Sequence, residues 1–115
     1  MYRDEATLLD IVGAAKRAEK FLANQSKDDF LRDEKSQSAV LYQLLVVGEA
    51  AKRLSDECKA RHREIPWKLM AGMRDHLIHA YDSVDWDEVW NTVVKDIPVL
   101  LSQIEPLISQ RPQDE

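Results

Sequence analysis

Val40 to Leu54 reads VLYQLLVVGEAAKRL, and the fold follows from it. Val40, Leu44, Val47, Ala51 and Leu54 recur at alternating steps of four and three, so they share one face of an α-helix and form a seam suited to antiparallel packing. Ser36 or Ser38 is placed to cap its start. Gly48 sits beside the seam, where a missing side chain lets a neighbouring helix come close; without a companion glycine it does not read as a phosphate-binding loop.

Upstream, Leu8, Val12, Ala15, Ala18 and Leu22 give a second amphipathic helix over about Asp4 to Ala23. A polar break follows, in which Asp28 or Asp29 is expected to cap a short turn that buries Phe30 and Leu31. Downstream, the charged run Lys59 to Glu64 reads as a helix end and loop carrying an exposed His62. Ile65-Pro66-Trp67 then opens a helix with proline at its first position, reaching about Tyr81. Asp85 is placed to cap a helix with Trp86, Val89, Trp90 and Val93 on its apolar face. Pro98 predicts a break or kink near Lys95-Asp96-Ile97 before a last helix, and Pro106 weakens that helix's final turn. The expectation is one all-α domain over residues 1–110, a four-helix up-and-down bundle with one or two short additional helices, followed by a polar tail at 111–115. The Trp- and Val-rich faces of the last segments exceed what so small a bundle needs, which points to a homodimer surface.

Composition agrees with this reading and narrows the function. Three glycines and four prolines in 115 residues, with 44% hydrophobic content, favour a folded helical domain. A formal charge of −5 repels phosphate backbones overall, so any nucleic-acid contact must be local. The single Cys58 suits a reducing cytoplasm, and no long apolar run suggests a membrane span or a secretion signal.

The chemistry-bearing stretch is RDHLIHAY, Arg74 to Tyr81. Asp75 and His79 stand at i,i+4 and face each other; a carboxylate accepting from one imidazole nitrogen fixes the tautomer and raises the basicity of the other. Arg74 and Tyr81, seven apart, share a face, whereas Arg74 and His79, five apart, diverge by about 140° on a regular helix. A proton-shuttling imidazole with a permanently charged guanidinium is the minimum equipment for metal-free phosphodiester cleavage, since in RNA the 2′-hydroxyl supplies the nucleophile. His76 and His79 offer two ligands at i,i+3 with no evident third, which disfavours a metal, and no cofactor is indicated. His76 is retained as a candidate substrate contact. Lys52 and Arg53 read as a solvated face within reach of an RNA backbone.

Arg, four residues, His, one residue, Tyr is the signature of the HepT-like toxins of the HEPN superfamily, and Arg74, His79 and Tyr81 match it. VVGEAAKRLS at Val46 to Ser55, IPW at Ile65 to Trp67, GMRDHLIHAY, and VDWDEVWNTVVKDIPVLLSQIE also resemble that family, so the similarity spans nearly the whole chain. The resemblance implies a dimeric helical bundle with two Arg/His motifs in one cleft, acting as a metal-independent ribonuclease toxin. In that role Arg74 stabilises the phosphorane, His79 acts as general acid or base, and Asp75 fills the polar position after the arginine. It further implies a minimal nucleotidyltransferase antitoxin as partner and Tyr81 as the hydroxyl that it AMPylates. Ala80 departs from the glycine frequent between His and Tyr. The superfamily also contains non-catalytic members that bind nucleotides or dock a nucleotidyltransferase.

Overall fold

A computed structural model describes residues 2–109 of the chain. The described residues form α1 (Tyr2–Leu22), α2 (Lys27–Leu31), α3 (Glu34–Arg53), α4 (Asp56–Arg61), α5 (Trp67–His79), α6 (Trp86–Asn91) and α7 (Ile97–Ser109). A single 3-10 turn, Tyr81–Ser83, links α5 to α6. α3 lies at the centre, packed against α1 on one side and α5 on the other, while α7 closes the bundle against α1. The result is the expected helical bundle, with α2 and α4 as the short additional pieces. The proposed tail at 111–115 lies outside the described residues.

The α3 seam is buried as its spacing requires: Val40, Leu44, Val47 and Ala51 face Ile11, Ala14, Ala15 and Ala18 of α1, all no more than 1% exposed. Caps fall a few residues earlier than expected. Asp33, not Ser36 or Ser38, starts α3, its Oδ1 accepting from the backbone N–H groups of Lys35 and Ser36 at 3.1 and 3.2 Å. Ser26, not Asp28 or Asp29, caps α2 by accepting from the Asp29 N–H at 3.1 Å. In each case the aspartates or serines expected to cap sit within the first helical turns, where acidic side chains favour the positive end of the helix and the residue before them caps.

The charged run after α3 is not a simple loop. α3 stops at Arg53, and Ser55 starts α4 by accepting from the Cys58 N–H at 3.0 Å. Buried Asp4 of α1 fixes this corner, its two oxygens accepting from the Ser55 N–H at 3.0 Å and the Ser55 hydroxyl at 2.6 Å. Burial opposes ionisation of Asp4, but the two Ser55 hydrogen bonds outweigh it and hold the carboxyl below the usual aspartate range. His62 follows as a half-buried cap whose carbonyl accepts from the Trp67 indole N–H at 3.0 Å.

Pro66 stands just before the first turn of α5 rather than within it. Pro98 breaks nothing: Thr92–Asp96 widens into a π-helical turn, and the Ile97 N–H donates to the Thr92 carbonyl five residues back. That widening relieves the clash a proline ring makes with the carbonyl four residues earlier, so α6, the π turn and α7 form one rod. Pro106 is carried inside α7, which continues to Ser109. Trp86 and Trp90 are turned inward onto Phe30, with ring centroids 6.1 and 5.8 Å apart. They are therefore partly buried against the core, and the apolar surface exposed on the last segments is that of Val94 and Val99, at 42% and 57%.

Candidate functional site

The site grows from the crossing of α3 and α5. A Cβ on Gly48 would collide with the Cβ of Arg74 and lie 2.7 Å from the Met70 carbonyl oxygen, so glycine is what lets the two helices approach there. Its neighbours on α3 consequently reach the Arg74 side chain. Arg74 Nε lies 3.0 Å from Glu49 Oε1, and Arg74 Nη1 donates to Asp75 Oδ1 at 2.9 Å. The same Asp75 oxygen accepts from Lys52 Nζ at 3.0 Å. Glu49, Arg74, Asp75 and Lys52 thus form one chain of alternating charge. The hydrogen bonds from Lys52 and then Arg74 hold the Asp75 carboxyl below its ordinary range.

The contact with Glu49 is a charge contact rather than an aligned hydrogen bond, and this solvent-shielded oxygen has no other donor. Arg74 keeps part of its surface open, at 28% side-chain exposure. It borders a shallow groove of about 300 Å³ with Tyr42, Leu45, Val46, Glu49, Arg53 and Ile78. Tyr42 and Ile78 are exposed there, at 63% and 43%. Arg53 points its charge across to Asp10, 3.5 Å away.

The remaining motif residues stand apart. α5 is regular through His79, so the divergence of about 140° between Arg74 and His79 persists within one protomer. The His79 side chain is exposed and makes no hydrogen bond among the described residues; Asp75, its expected i,i+4 partner, is engaged by Lys52 and Arg74 instead. The backbone leaves the helix only at Ala80 (φ −122°, ψ 35°), whose N–H donates to the His76 carbonyl at 2.9 Å. The seven-residue alignment of Arg74 with Tyr81 therefore does not carry over, because Tyr81 sits beyond the helix in the 3-10 turn, 76% exposed. His76 is two residues, hence nearly half a turn, from Arg74. It lines a different cavity, of about 270 Å³, with Leu44, Val84 and Val89.

Sequence reading gave Glu49 no role and set Lys52 on a solvated face within reach of an RNA backbone, with no partner for either on α5. The signal available was Gly48: a glycine marking a helix crossing also marks its neighbours as the residues nearest the partner helix. Among the described residues, no three His, Cys, Asp or Glu side chains converge to hold a metal ion, and no helix is long and apolar enough to cross a membrane.

An all-α bundle carrying Arg, four residues, His, one residue, Tyr across the end of the helix that crosses its central one is a domain of the HEPN class. Within that class the chain belongs to the ribonuclease HepT-like family, whose model matches residues 11–107. It is 46% identical over 100 residues to the probable ribonuclease HepT of Thermococcus cleftensis, covering 87% of this chain and 91% of that protein. A Methanocaldococcus jannaschii protein named as a candidate RNase is 37% identical over 103 residues, covering 90% of this chain and 85% of its own length. Another so named, from Caldanaerobacter subterraneus subsp. tengcongensis, is 39% identical over 85 residues, covering 74% of this chain and 76% of its own length. No solved structure matches the chain.

Proposed function

We propose that this protein is a metal-independent endoribonuclease, the toxin of a type II toxin–antitoxin pair, acting on cytoplasmic RNA. The observation that carries this reading is the placement of Arg74: a guanidinium held on the rim of a surface groove, on the same helix that presents His79 at its end. His79 takes the proton of the ribose 2′-hydroxyl as that oxygen attacks phosphorus, or returns one to the departing 5′-oxygen. Arg74 neutralises the phosphorane. The products are a 2′,3′-cyclic phosphate and a 5′-hydroxyl.

Because Arg74 and His79 diverge within one protomer, the working cleft is composite, each Arg74 acting with the partner's motif. Tyr42 and Ile78 beside Arg74 supply exposed apolar surface for such a homodimer. Asp75 supports Arg74, and Lys52 and Arg53 provide local positive charge for the RNA backbone on an otherwise acidic protein. His76, as an RNA contact, would act from the other face of α5. Tyr81 is exposed for AMPylation by a minimal nucleotidyltransferase antitoxin, and the added bulk and negative charge would turn RNA away from His79 two residues earlier.

The test is RNA cleavage by the purified full-length protein in the presence of a chelator. Arg74→Ala and His79→Ala should each lower the rate by about 10²–10⁴-fold. Mixing the two variants should restore part of the activity, since a composite dimer then contains one intact Arg74–His79 pair. No cleavage by the wild type would sink the reading; no rescue on mixing would sink the composite cleft.

One observation favours a second reading. Glu49 and Asp75 already neutralise Arg74, as suits a non-catalytic module that binds nucleotides or docks a nucleotidyltransferase. That reading predicts binding of ATP or of the partner enzyme, altered by Tyr81→Phe, with no RNA cleavage at any pH.

A further inference from the structure

Glu49 lies outside the motif, one residue past the glycine that brings α3 against α5, and its carboxylate reaches the Nε side of Arg74. We propose that Glu49 is a positioning residue for the ribonuclease reaction: it holds the Arg74 guanidinium against α3 so that its remaining N–H groups face the scissile phosphate. The inference rests on the ribonuclease reading above and adds to it a residue that acts only through Arg74.

Three features support this. First, the guanidinium meets a carboxylate at two of its three nitrogens, Nε by Glu49 at 3.0 Å and Nη1 by Asp75 at 2.9 Å. A planar fork restrained from two sides keeps its remaining N–H groups in one orientation. Second, the two holders come from different helices. Asp75 adjoins Arg74 on α5 and moves with it, whereas Glu49 stands on α3 and is the holder that references the arginine to the rest of the bundle. Third, Glu49 Oε1 is shielded from solvent, and among the described residues Arg74 is the cation it meets.

The placement also argues against a merely inhibitory carboxylate. Arg74 keeps 28% of its side chain exposed on the rim of the groove with Glu49 in place. A structural role predicts something different again: Glu49 and Arg74 are both partly exposed, so losing the pair should change stability little. A loss of turnover without a loss of stability therefore separates positioning from scaffolding.

The experiment compares wild type, Glu49→Ala, Glu49→Gln and Glu49→Asp as full-length proteins on a single-stranded RNA oligonucleotide carrying a fluorophore and a quencher. Arg74 Nε–H is followed in parallel by nitrogen-15 NMR, and folding by thermal melts. The Ala variant should lose about 10- to 100-fold in kcat, as is typical when a supporting partner is removed, with KM changed less than about threefold. Glu49→Gln, which keeps an acceptor at the same reach, should recover most of that loss, and Glu49→Asp, which keeps the charge but retracts it by one methylene, should not. The Arg74 Nε–H signal should be distinct in wild type and broadened by exchange in the Ala and Asp variants. Full activity of Glu49→Ala alongside an active wild type overturns this inference alone. So does an Asp variant that matches wild type, because charge rather than position would then suffice, and so does a Glu49→Ala loss confined to KM. A wild type that cleaves nothing overturns the ribonuclease reading, and this inference falls with it.

Discussion

α3 meets its two neighbours by different means. Along α1 the joint is mainly alkyl, alanines of one helix against Val40, Leu44 and Val47 of the other, with polar contacts such as Arg17 Nε to Gln43 Oε1 at 3.0 Å and Arg53 to Asp10 at 3.5 Å beside them. Along α5 the joint closes on Gly48 and then turns polar, as Glu49 and Lys52 cross to Arg74 and Asp75. The first joint gains its stability from apolar area, which is non-directional and tolerant of small shifts. The second gains little from its exposed ion pairs, and its geometry decides where one guanidinium points. One helix thus holds the fold with one face and aims a side chain with another.

The sharpest way to break this contrast is Gly48→Ala. The new methyl group meets the Arg74 Cβ and the Met70 carbonyl, neither of which is a flexible side-chain end, so α5 must move away from α3. Overpacking of this kind costs about 1–3 kcal/mol, which urea unfolding would read directly. RNA cleavage should fall further than stability explains, because Glu49 then no longer reaches Arg74. A variant as stable and active as wild type would mean that the crossing is not close in solution.

These two joints were unequally legible in the sequence. The α1–α3 seam was read from periodicity, because burial of apolar side chains every three or four residues is a property of each helix taken alone. The α3–α5 crossing was half legible. Gly48 announced a close approach, but Glu49 and Lys52 have the periodicity of a solvated face, and only the relative placement of two helices gives them Arg74 and Asp75 as partners. The same limit explains His79. Sequence spacing offered it Asp75 at i,i+4, and a lysine from another helix took that carboxylate first. The apolar faces of the last segments divide in the same way: the short α2 brings Phe30 under Trp86 and Trp90, which periodicity on their own helix cannot show, while Val94 and Val99 stay exposed.

A change of pH tests the polar contacts at both edges of α3 together. Asp4, Asp33 and Asp75 each have a folded carboxyl held below its ordinary range. Groups of this kind contribute stability that is fully present above their unfolded value, roughly pH 4, and lost as pH falls through their folded values. The thermal midpoint should therefore drop steeply below about pH 4. Asp4→Asn replaces one of the two oxygens that accept from Ser55 with an amide nitrogen that cannot accept, and should cost about 1–2 kcal/mol near neutral pH while flattening that acid slope. An unchanged slope would show that Asp4 is not ionised against Ser55 in the folded protein.

The smallest effect has the opposite sign. Gly72 lies on α5, two residues before Arg74, yet a Cβ added there meets nothing within 4 Å. Glycine inside a helix gives up more chain entropy on folding than alanine, and nothing at this position repays that loss. Gly72→Ala should therefore stabilise the protein by about 0.5–1 kcal/mol, seen as a higher urea midpoint at constant slope. Two glycines within reach of the same arginine then give opposite answers to the same substitution, because one faces α3 and the other does not. If Gly72→Ala destabilises instead, its face of α5 is covered in solution, and a second protomer seated there becomes the first explanation to test by comparing oligomeric state in the two proteins.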